Sequence, residues 1–391
     1  MQNVDAAGLG IGDDCPTRIM GVLNISQESP YKPSVFNDHG EAAAYVDEQL
    51  IDEGADIVDI GLESANKRFE VLPAQAELDR LETAIETIES VSGDTVYSIE
   101  TRYHEVAEAA MAAGFDMVND ICGFADPKMP EVCREYDVAV GKMASPPDLE
   151  RPGAVEETDW ASRKSPEWAA QADYVDQVYE ALTQNGLTDK TLIDPAFGGW
   201  SEAQTAEDDR ETFRRLREFR ALDQPILISI NRKNFLRGLA DRSTEAALPV
   251  SLAATSMAIE RGAHVVRTHD VAETLDAAKI GDAFAGDLLR DDELAVEELD
   301  VRSAADVARH AAAVDADVDP DAGTMRAFEL RGLDTDARAA LLAAGADANV
   351  TVVDGRNILL FGTPAALDRL SDVVSTSEVL ADVVTWIANE V

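Results

Sequence analysis

A short apolar run rich in β-branched residues, followed by an amphipathic helical stretch, recurs eight times between residues 18 and 284. The runs fall at Arg18–Asn24, Asp56–Gly61, Thr95–Glu100, Met117–Ile121, Ala139–Ala144, Thr191–Phe197, Pro225–Ile230 and His264–His269. Helical spacing of apolar residues fills Glu41–Glu53, Ala74–Val91, Val106–Ala113, Ala169–Asn185, Asp208–Phe219 and Pro249–Arg261, and Val271–Phe284 follows the last run. Strands with no polar face must be covered on both sides, as they are when helices cross between parallel neighbours. Repeated βα units with right-handed crossovers predict a parallel sheet, and eight of them predict closure into a (β/α)8 TIM barrel. An open, doubly wound sheet is the alternative. It is disfavoured because chemically distinctive residues stand at nearly every strand's C-terminal end, which a ring can converge and a flat sheet cannot.

Residues 1–17 are rich in Gly and Asp, with weak alternation from Val4 to Ile11, and are expected to form a hairpin closing one end of the barrel. Ser145–Asp159 reads as an extended Pro- and acid-rich loop, an insertion rather than a lid. The pattern changes near Gly286. A charged connector, Asp287–Glu293, precedes a strand at Val296–Val301, a helix over Ala304–Val314 and a strand at Met325–Leu330. A helix over Asp336–Ala344, a hairpin turning at Asp354-Gly355 and a helix from Pro364 complete a small two-layer α/β domain. The expected division is therefore a barrel over 1–286 and a second domain over 287–391, the latter with no cluster of His, Cys or paired carboxylates and so structural or oligomeric by default.

The net charge is −43, from 76 acidic against 33 basic residues. Such a surface repels nucleic acid and anionic membrane, and neither is expected as a partner. The acidity is spread along the whole chain while apolar periodicity stays strong, which argues against disorder and for a halophilic source where salt screens self-repulsion. Three cysteines without paired spacing, Cys15, Cys122 and Cys133, indicate neither a disulfide framework nor a zinc site. There is no signal-peptide pattern at the N-terminus and no apolar run near the roughly 20 residues of a membrane span, so a soluble cytoplasmic protein is expected.

Barrel enzymes place their chemistry at the C-terminal ends of the strands. Strand seven ends in Asn231-Arg232-Lys233 and strand eight in Arg267-Thr268-His269, and two consecutive tips bearing Arg, Lys and His describe a phosphate site. Strand one ends in Asn24, which offers a neutral oxygen to a hard cation such as Mg²⁺ and an N–H to phosphate. Strand two carries Asp59 inside an apolar run, so its carboxylate must be hydrogen-bonded if buried, and then Glu63-Ser64. Glu100, Asn119 and Asp194 stand at the ends of strands three, four and six. A ring of Glu100, Asn119, Asp194 and Lys233 is too polar for barrel packing and suits a flat, nitrogen-rich heterocycle: carboxylates accept from an amidine-like edge, Asn pairs with donor and acceptor, Lys donates to a ring carbonyl. A purely structural pairing of Asp194 with Lys233 is the alternative.

With these motifs in place, the segment from about Arg18 to Phe284 resembles dihydropteroate synthase and the wider pterin-binding barrel family. The resemblance rests on Met20-Gly-Val-Leu-Asn24, Asp59-Ile-Gly61-Leu-Glu63-Ser64, Ser98-Ile-Glu100-Thr101, Val118-Asn119-Asp120-Ile121, Ile193-Asp194-Pro195, Arg232-Lys233 and Arg267-Thr-His269-Asp270. It implies condensation of 6-hydroxymethyl-7,8-dihydropterin diphosphate with 4-aminobenzoate, with Mg²⁺ as cofactor and pyrophosphate as the second product. It also implies that Glu100, Asn119, Asp194 and Lys233 hold the pterin, while Asn24, Arg267 and His269 hold the diphosphate. Asn24 is further implied on the metal, Arg232 near the anion, and family precedent suggests a homodimer.

The chain departs from that pattern in its loops. Glu100 stands for the family's Asp, Asn231 for its Ser, Ser26-Gln-Glu28-Ser29-Pro30 for Thr-Pro-Asp-Ser-Phe, and Ala65-Asn66-Lys67 for Thr-Arg-Pro. Gly199 replaces an aromatic, and Met143-Ala144 replaces Met-His. The pterin and diphosphate sites are therefore expected to survive better than the aminobenzoate site, leaving the arylamine open. Two other readings are a methyltetrahydropterin-dependent methyltransferase, against which the cationic tips count, and a non-catalytic pterin-binding protein.

Overall fold

A computed structural model describes residues 2–29, 31–64, 69–150, 155–198, 204–285, 289–290, 295–296, 301, 303–314, 316 and 318–373. The chain divides into two compact units, Met1–Glu297 and Glu298–Val391, where the sequence suggested a boundary at 286.

In the first unit, a hairpin of β1 (Val4–Ala6) and β2 (Leu9–Ile11) precedes eight parallel strands. These are β3 (Arg18–Asn24), β4 (Ile57–Gly61), β5 (Val96–Thr101), β6 (Met117–Asp120), β7 (Ala139–Met143), β8 (Thr191–Asp194), β9 (Ile226–Ile228) and β10 (Ala263–Thr268). Each pairs with the next, and β10 returns to β3 with Val265 opposite Arg18 and Thr268 opposite Gly21. That last ladder closes the barrel and excludes the open sheet.

Side chains alternate across the barrel wall with a period of two. Ile19, Leu23, Val58, Ile60, Ile99, Val118, Val140, Ile193, Ile226, Ile228 and Val266 face outward into the core shared with the helices. Met20, Ile57, Val96, Met117, Ala139, Leu192, Leu227 and Val265, one from each strand, face inward and form an apolar plug on which Val4, Ala6 and Ile11 of the hairpin pack. The hairpin thus seals the N-terminal end. His264 interrupts the β9–β10 ladder. Its Nδ1 accepts the Ile226 N–H at 3.1 Å, and its Nε2 meets Asp13 Oδ1 at 3.0 Å, which Arg220 Nη1 also reaches at 3.0 Å.

The outer helices are α1 (His39–Tyr45, continued by a π-helical turn over Val46–Ile51), α2 (Ala74–Ser90), α3 (His104–Ala112), α4 (Met129–Glu135), α5 (Trp160–Arg163), α6 (Pro166–Gln171), α7 (Tyr174–Thr183), α8 (Ala206–Arg214), α9 (Asn234–Ala240), α10 (Leu248–Glu260) and α11 (Val271–Phe284). The helix anticipated over Ala169–Asn185 is two, because Asp173 forms a capping box with Asp176 and starts α7 afresh. Similarly, the stretch Asp208–Phe219 is α8 followed by a 3₁₀ turn over Leu216–Leu222. After β7 the chain is described to residue 150 and again from 155, where a 3₁₀ turn over Val155–Glu157 leads into α5.

β11 (Leu289–Arg290), in the connector, pairs with β12 (Ala295–Val296) just after it; the connector's other residues fall outside the described set, as does most of the strand expected at Val296–Val301. The second unit holds α12 (Ala304–Ala313), β13 (Arg326–Leu330), α13 (Thr335–Ala348), β14 (Thr351–Asp354), β15 (Ile358–Gly362) and α14 (Pro364–Val373). Its antiparallel sheet has the order β13-β15-β14, and Leu330, Leu341, Ile358, Leu360, Leu367 and Leu370 form its core between sheet and helices. No described helix is long and apolar enough to cross a membrane.

Candidate active site at the C-terminal end of the barrel

The same alternation that turns Ile57, Val96, Met117, Leu192, Leu227 and Val265 inward turns the residues two and four positions later inward as well. Those residues are Asp59 and Gly61 on β4, Ser98 and Glu100 on β5, Asn119 on β6, Asp194 on β8, Ser229 after β9 and Arg267 on β10. Going up the barrel, an apolar plug gives way to a polar layer within two residues.

Asp59 is fully buried, and its carboxylate accepts from Ser98 Oγ at 2.7 Å, Asn119 Nδ2 at 2.9 Å and Arg267 Nε at 2.7 Å. The requirement read from the sequence, that this charge be satisfied internally, is met by donors from three other strands, β5, β6 and β10. Arg267 uses its Nη2 on Glu100 Oε2 at 2.6 Å, so one guanidinium ties β4, β5 and β10 together. Burial works against the Arg267 charge, but Glu100 and Asp59 outweigh it and hold the guanidinium firmly protonated. Burial also raises Glu100 above the usual carboxylate range, with Arg267 opposing.

Above this layer opens a cleft lined by Glu100, Asn119, Ile121, Met143, Asp194, Ala196, Phe197, Ser229, Lys233 and Arg267. All four residues expected to hold a heterocycle are there. Burial pushes Asp194 up to about 6, against the Ala196 N–H it accepts at 2.8 Å and the charges of Lys233 and Arg267. The Lys233 ammonium is lowered from the ordinary lysine value by burial, and Asp194 supports it. Ile121, Met143, Ala196 and Phe197 supply the apolar walls a flat ring needs. Sequence reasoning passes over Ser229, although its place two residues beyond the inward Leu227 was the available signal.

The remaining expected residues are divided. His269 stacks on Tyr31 with ring centroids 4.4 Å apart, and its buried Nδ1 has no hydrogen-bond partner. Burial and the nearby Arg267 charge lower its imidazole to about 3, so the ring is neutral. Arg232 does not line the cleft. It adopts a left-handed backbone (φ 55°), and its guanidinium makes two 2.8 Å bonds to Asp270 and one of 2.7 Å to the Thr244 carbonyl. Its role in the structure is to pin the loop before α10 to the β10 tip. Glu63 and Ser64 also lie outside the cleft lining: Glu63 accepts from the buried Arg102 Nη2 at 2.7 Å and from Leu72 N at 2.9 Å. Arg102 Nη1 in turn reaches the Leu149 carbonyl at 2.9 Å, joining the loops after β4, β5 and β7.

Asn24 ends β3 with its Nδ2 donating to Ser34 Oγ at 2.9 Å, which leaves Oδ1 facing Gly61. A Cβ on Gly61 would sit 3.2 Å from that oxygen, so the glycine keeps a space open beside a hard donor. A neutral oxygen in such a cradle fits one protein ligand of Mg²⁺, an ion that binds through few protein groups plus phosphate and water.

A closed parallel barrel carrying a polar ring for a flat heterocycle, with cationic and imidazole groups at one rim, is the architecture of a pterin-binding barrel. The chain belongs to the pterin binding enzyme family, which it matches over residues 20–269. A probable bifunctional folylpolyglutamate synthase/dihydropteroate synthase of Halobacterium salinarum is 32% identical over 272 residues, covering 68% of this chain and 31% of that protein. The chain therefore spans about a third of that relative's length. The dihydropteroate synthase of Clostridium beijerinckii is 31% identical over 272 residues, covering 68% of this chain and 93% of that one. Among solved structures, the Xanthomonas albilineans dihydropteroate synthase with 4-aminobenzoic acid is similar at a TM-score of 0.57 and 28% identity, covering 72% of this chain and 98% of the other.

Proposed function

We propose that the barrel is a dihydropteroate synthase-type transferase acting in folate or pterin biosynthesis. It joins 6-hydroxymethyl-7,8-dihydropterin diphosphate to 4-aminobenzoate or a related arylamine. The carbon–oxygen bond to the diphosphate breaks, the arylamine nitrogen bonds to the freed methylene carbon and loses a proton, and pyrophosphate departs. The observation that carries this reading is the convergence of Glu100, Asn119, Asp194 and Lys233 with Arg267 in one cleft. Such a set matches a pterin's amino edge and ring carbonyl, and it sits beside the groups available to an anion.

Each residue then has a physical task. Asp194 and Glu100 accept from the pterin's donors, Asn119 pairs with donor and acceptor, and Lys233 donates to the carbonyl. Fixed positive charge on Arg267, with the neutral His269, faces the diphosphate as negative charge accumulates on it. Asn24 would hold Mg²⁺, which when bound neutralises part of that charge. The arylamine is already nucleophilic, so no strong base is required. A methyltransferase would have no use for a diphosphate site, and the Arg267–His269 rim disfavours that reading.

The same reading extends to the molecule's setting. Ile280 and Phe284, one turn apart on α11 and 56% and 75% exposed, present an apolar strip suited to a second copy, in line with a homodimer. The acidic composition suits a cytoplasm of high salt. Calorimetric titration at molar KCl tests the ligand assignment: the pterin diphosphate should bind about tenfold or more tightly than the unphosphorylated alcohol. Equal affinity would remove the diphosphate from the account.

A further inference from the structure

Lys233 reaches the cleft over a backbone platform whose construction involves a residue outside the cleft. Ala196 and Gly198, after β8, both have positive φ, 64° and 117°. A Cβ on Gly198 would lie 2.6 Å from Lys233 Cδ, 2.9 Å from Nζ and 3.1 Å from Cε, so the lysine side chain rests directly on this glycine. The platform is held from below by Asp209 of α8. Its Oδ1 accepts the Gly198 N–H at 3.2 Å and Gln204 Nε2 at 2.8 Å, and the same Nε2 reaches the Ala196 carbonyl at 3.3 Å. Asp209 is itself buried, 3% exposed.

We propose that Asp209 is a positioning residue for Lys233: through the Gly198 amide it fixes the surface under the lysine, and its carboxylate keeps the ammonium charged above the cleft. The inference rests on the reading of Lys233 as a ligand-binding group but does not need the protein to turn over any substrate. The charged groups that act most strongly on Lys233 include Asp194 of β8, Asp209 of α8, Glu100 of β5 and Arg267 of β10. Glu100 is already paired with Arg267, and Asp194 faces the ligand. Asp209 is a carboxylate on the platform side, bonded to the Gly198 amide, and it still acts on Lys233 when a ligand engages Asp194. Consistent with this, burial raises Asp209 to about 6, and the Gly198 N–H, Lys233 and Gln204 pull against that rise.

The test reads Lys233 directly. Wild type, Asp209→Asn and Asp209→Glu are pulse-labelled with an amine-reactive reagent across a pH series in molar KCl, and modification of Lys233 is quantified by peptide mapping. Asn keeps the size and an acceptor for Gly198 but removes the charge. The midpoint of Lys233 reactivity should fall by about one pH unit or more in Asp209→Asn. It should return toward wild type in Asp209→Glu. Parallel binding of the pterin alcohol should weaken in Asp209→Asn with the same pH displacement. An unchanged Lys233 midpoint in a folded Asp209→Asn protein overturns the proposal. Wild-type protein that binds no pterin, with the midpoint still displaced, would count against the proposed function and leave Asp209 in its assigned role.

Discussion

Arg267 and Asp59 meet at 2.7 Å on strands that are not neighbours, with the Asp59 carboxylate fully buried. The guanidinium proposed to face a ligand's anion is therefore also the counter-charge of the barrel interior. Removing one partner of a buried pair strands the other charge and costs about 3–5 kcal/mol. Arg267→Ala should lose stability of that order in chemical unfolding and lose diphosphate binding together. Arg267→Lys keeps a charge without the fork that reaches both Asp59 and Glu100, and should fall between. An Arg267→Ala protein as stable as wild type would show that the Asp59 network does not depend on it.

Asp194 gives a pH signature. Burial lifts its carboxyl to about 6, so the ionised acceptor is lost as pH falls through that value. Pterin binding and kcat/KM should decline below about pH 6. Asp194→Asn presents a donor where an acceptor is needed and should lower activity about a hundredfold or more with the fold intact, since each mispaired buried contact costs roughly 1–3 kcal/mol. Near-normal turnover in that variant would place the heterocycle elsewhere.

At the opposite end of the barrel, His264 should mark stability rather than activity. Burial lowers its imidazole below the ordinary 6.5, with Asp13 opposing. In the unfolded chain the ring takes a proton below 6.5 while the folded protein resists it, so its contribution is present at neutral pH and is lost as pH falls below 6.5. His264→Asn should therefore flatten the wild-type loss of stability between pH 7 and 5, measured by denaturant midpoints. Identical slopes would exclude His264 as a source.

The barrel was legible because its signal is local and repeated. Six of the eight strands lie within the runs read from apolar patterning, β5 and β10 overrun theirs by one residue (Thr101 and Ala263), and α11 spans Val271–Phe284 as its periodicity indicates. The polar ring was legible for a related reason: polar residues at strand tips have few structural uses, and Glu100, Asn119, Asp194 and Lys233 do share one cleft. What sequence could not show was where long side chains turn. Arg232 and Lys233 are adjacent, yet the left-handed backbone at Arg232 sends its guanidinium to Asp270 while Lys233 enters the cleft. The ties of Glu63 to Arg102 and of Asp209 to Gly198 cross 39 and 11 residues and leave no periodic trace. The π-helical turn at Val46–Ile51 and the break before Asp173 were likewise invisible to a search for regular helical spacing.

The charge of −43 sets a condition on every measurement. At about 0.1 M salt charges interact over roughly 10 Å, and at 1 M over roughly 3 Å. Dilution from molar KCl into low-salt buffer should lower the thermal midpoint steeply and cost far-UV circular dichroism signal. A midpoint independent of salt would contradict the halophilic assignment.

The reaction proposed for the C-terminal end of the barrel is a specific bond exchange, and release of pyrophosphate reports it without intermediaries. The assay combines full-length protein, Mg²⁺, 6-hydroxymethyl-7,8-dihydropterin diphosphate and a panel of arylamines led by 4-aminobenzoate, in molar KCl. Pyrophosphate should appear in proportion to arylamine, with an equal amount of the carbon–nitrogen condensation product, and Asp194→Asn should lower both about a hundredfold or more. Tight binding of the pterin diphosphate without arylamine-dependent pyrophosphate release from any member of the panel would contradict the transferase assignment and leave a pterin-binding protein.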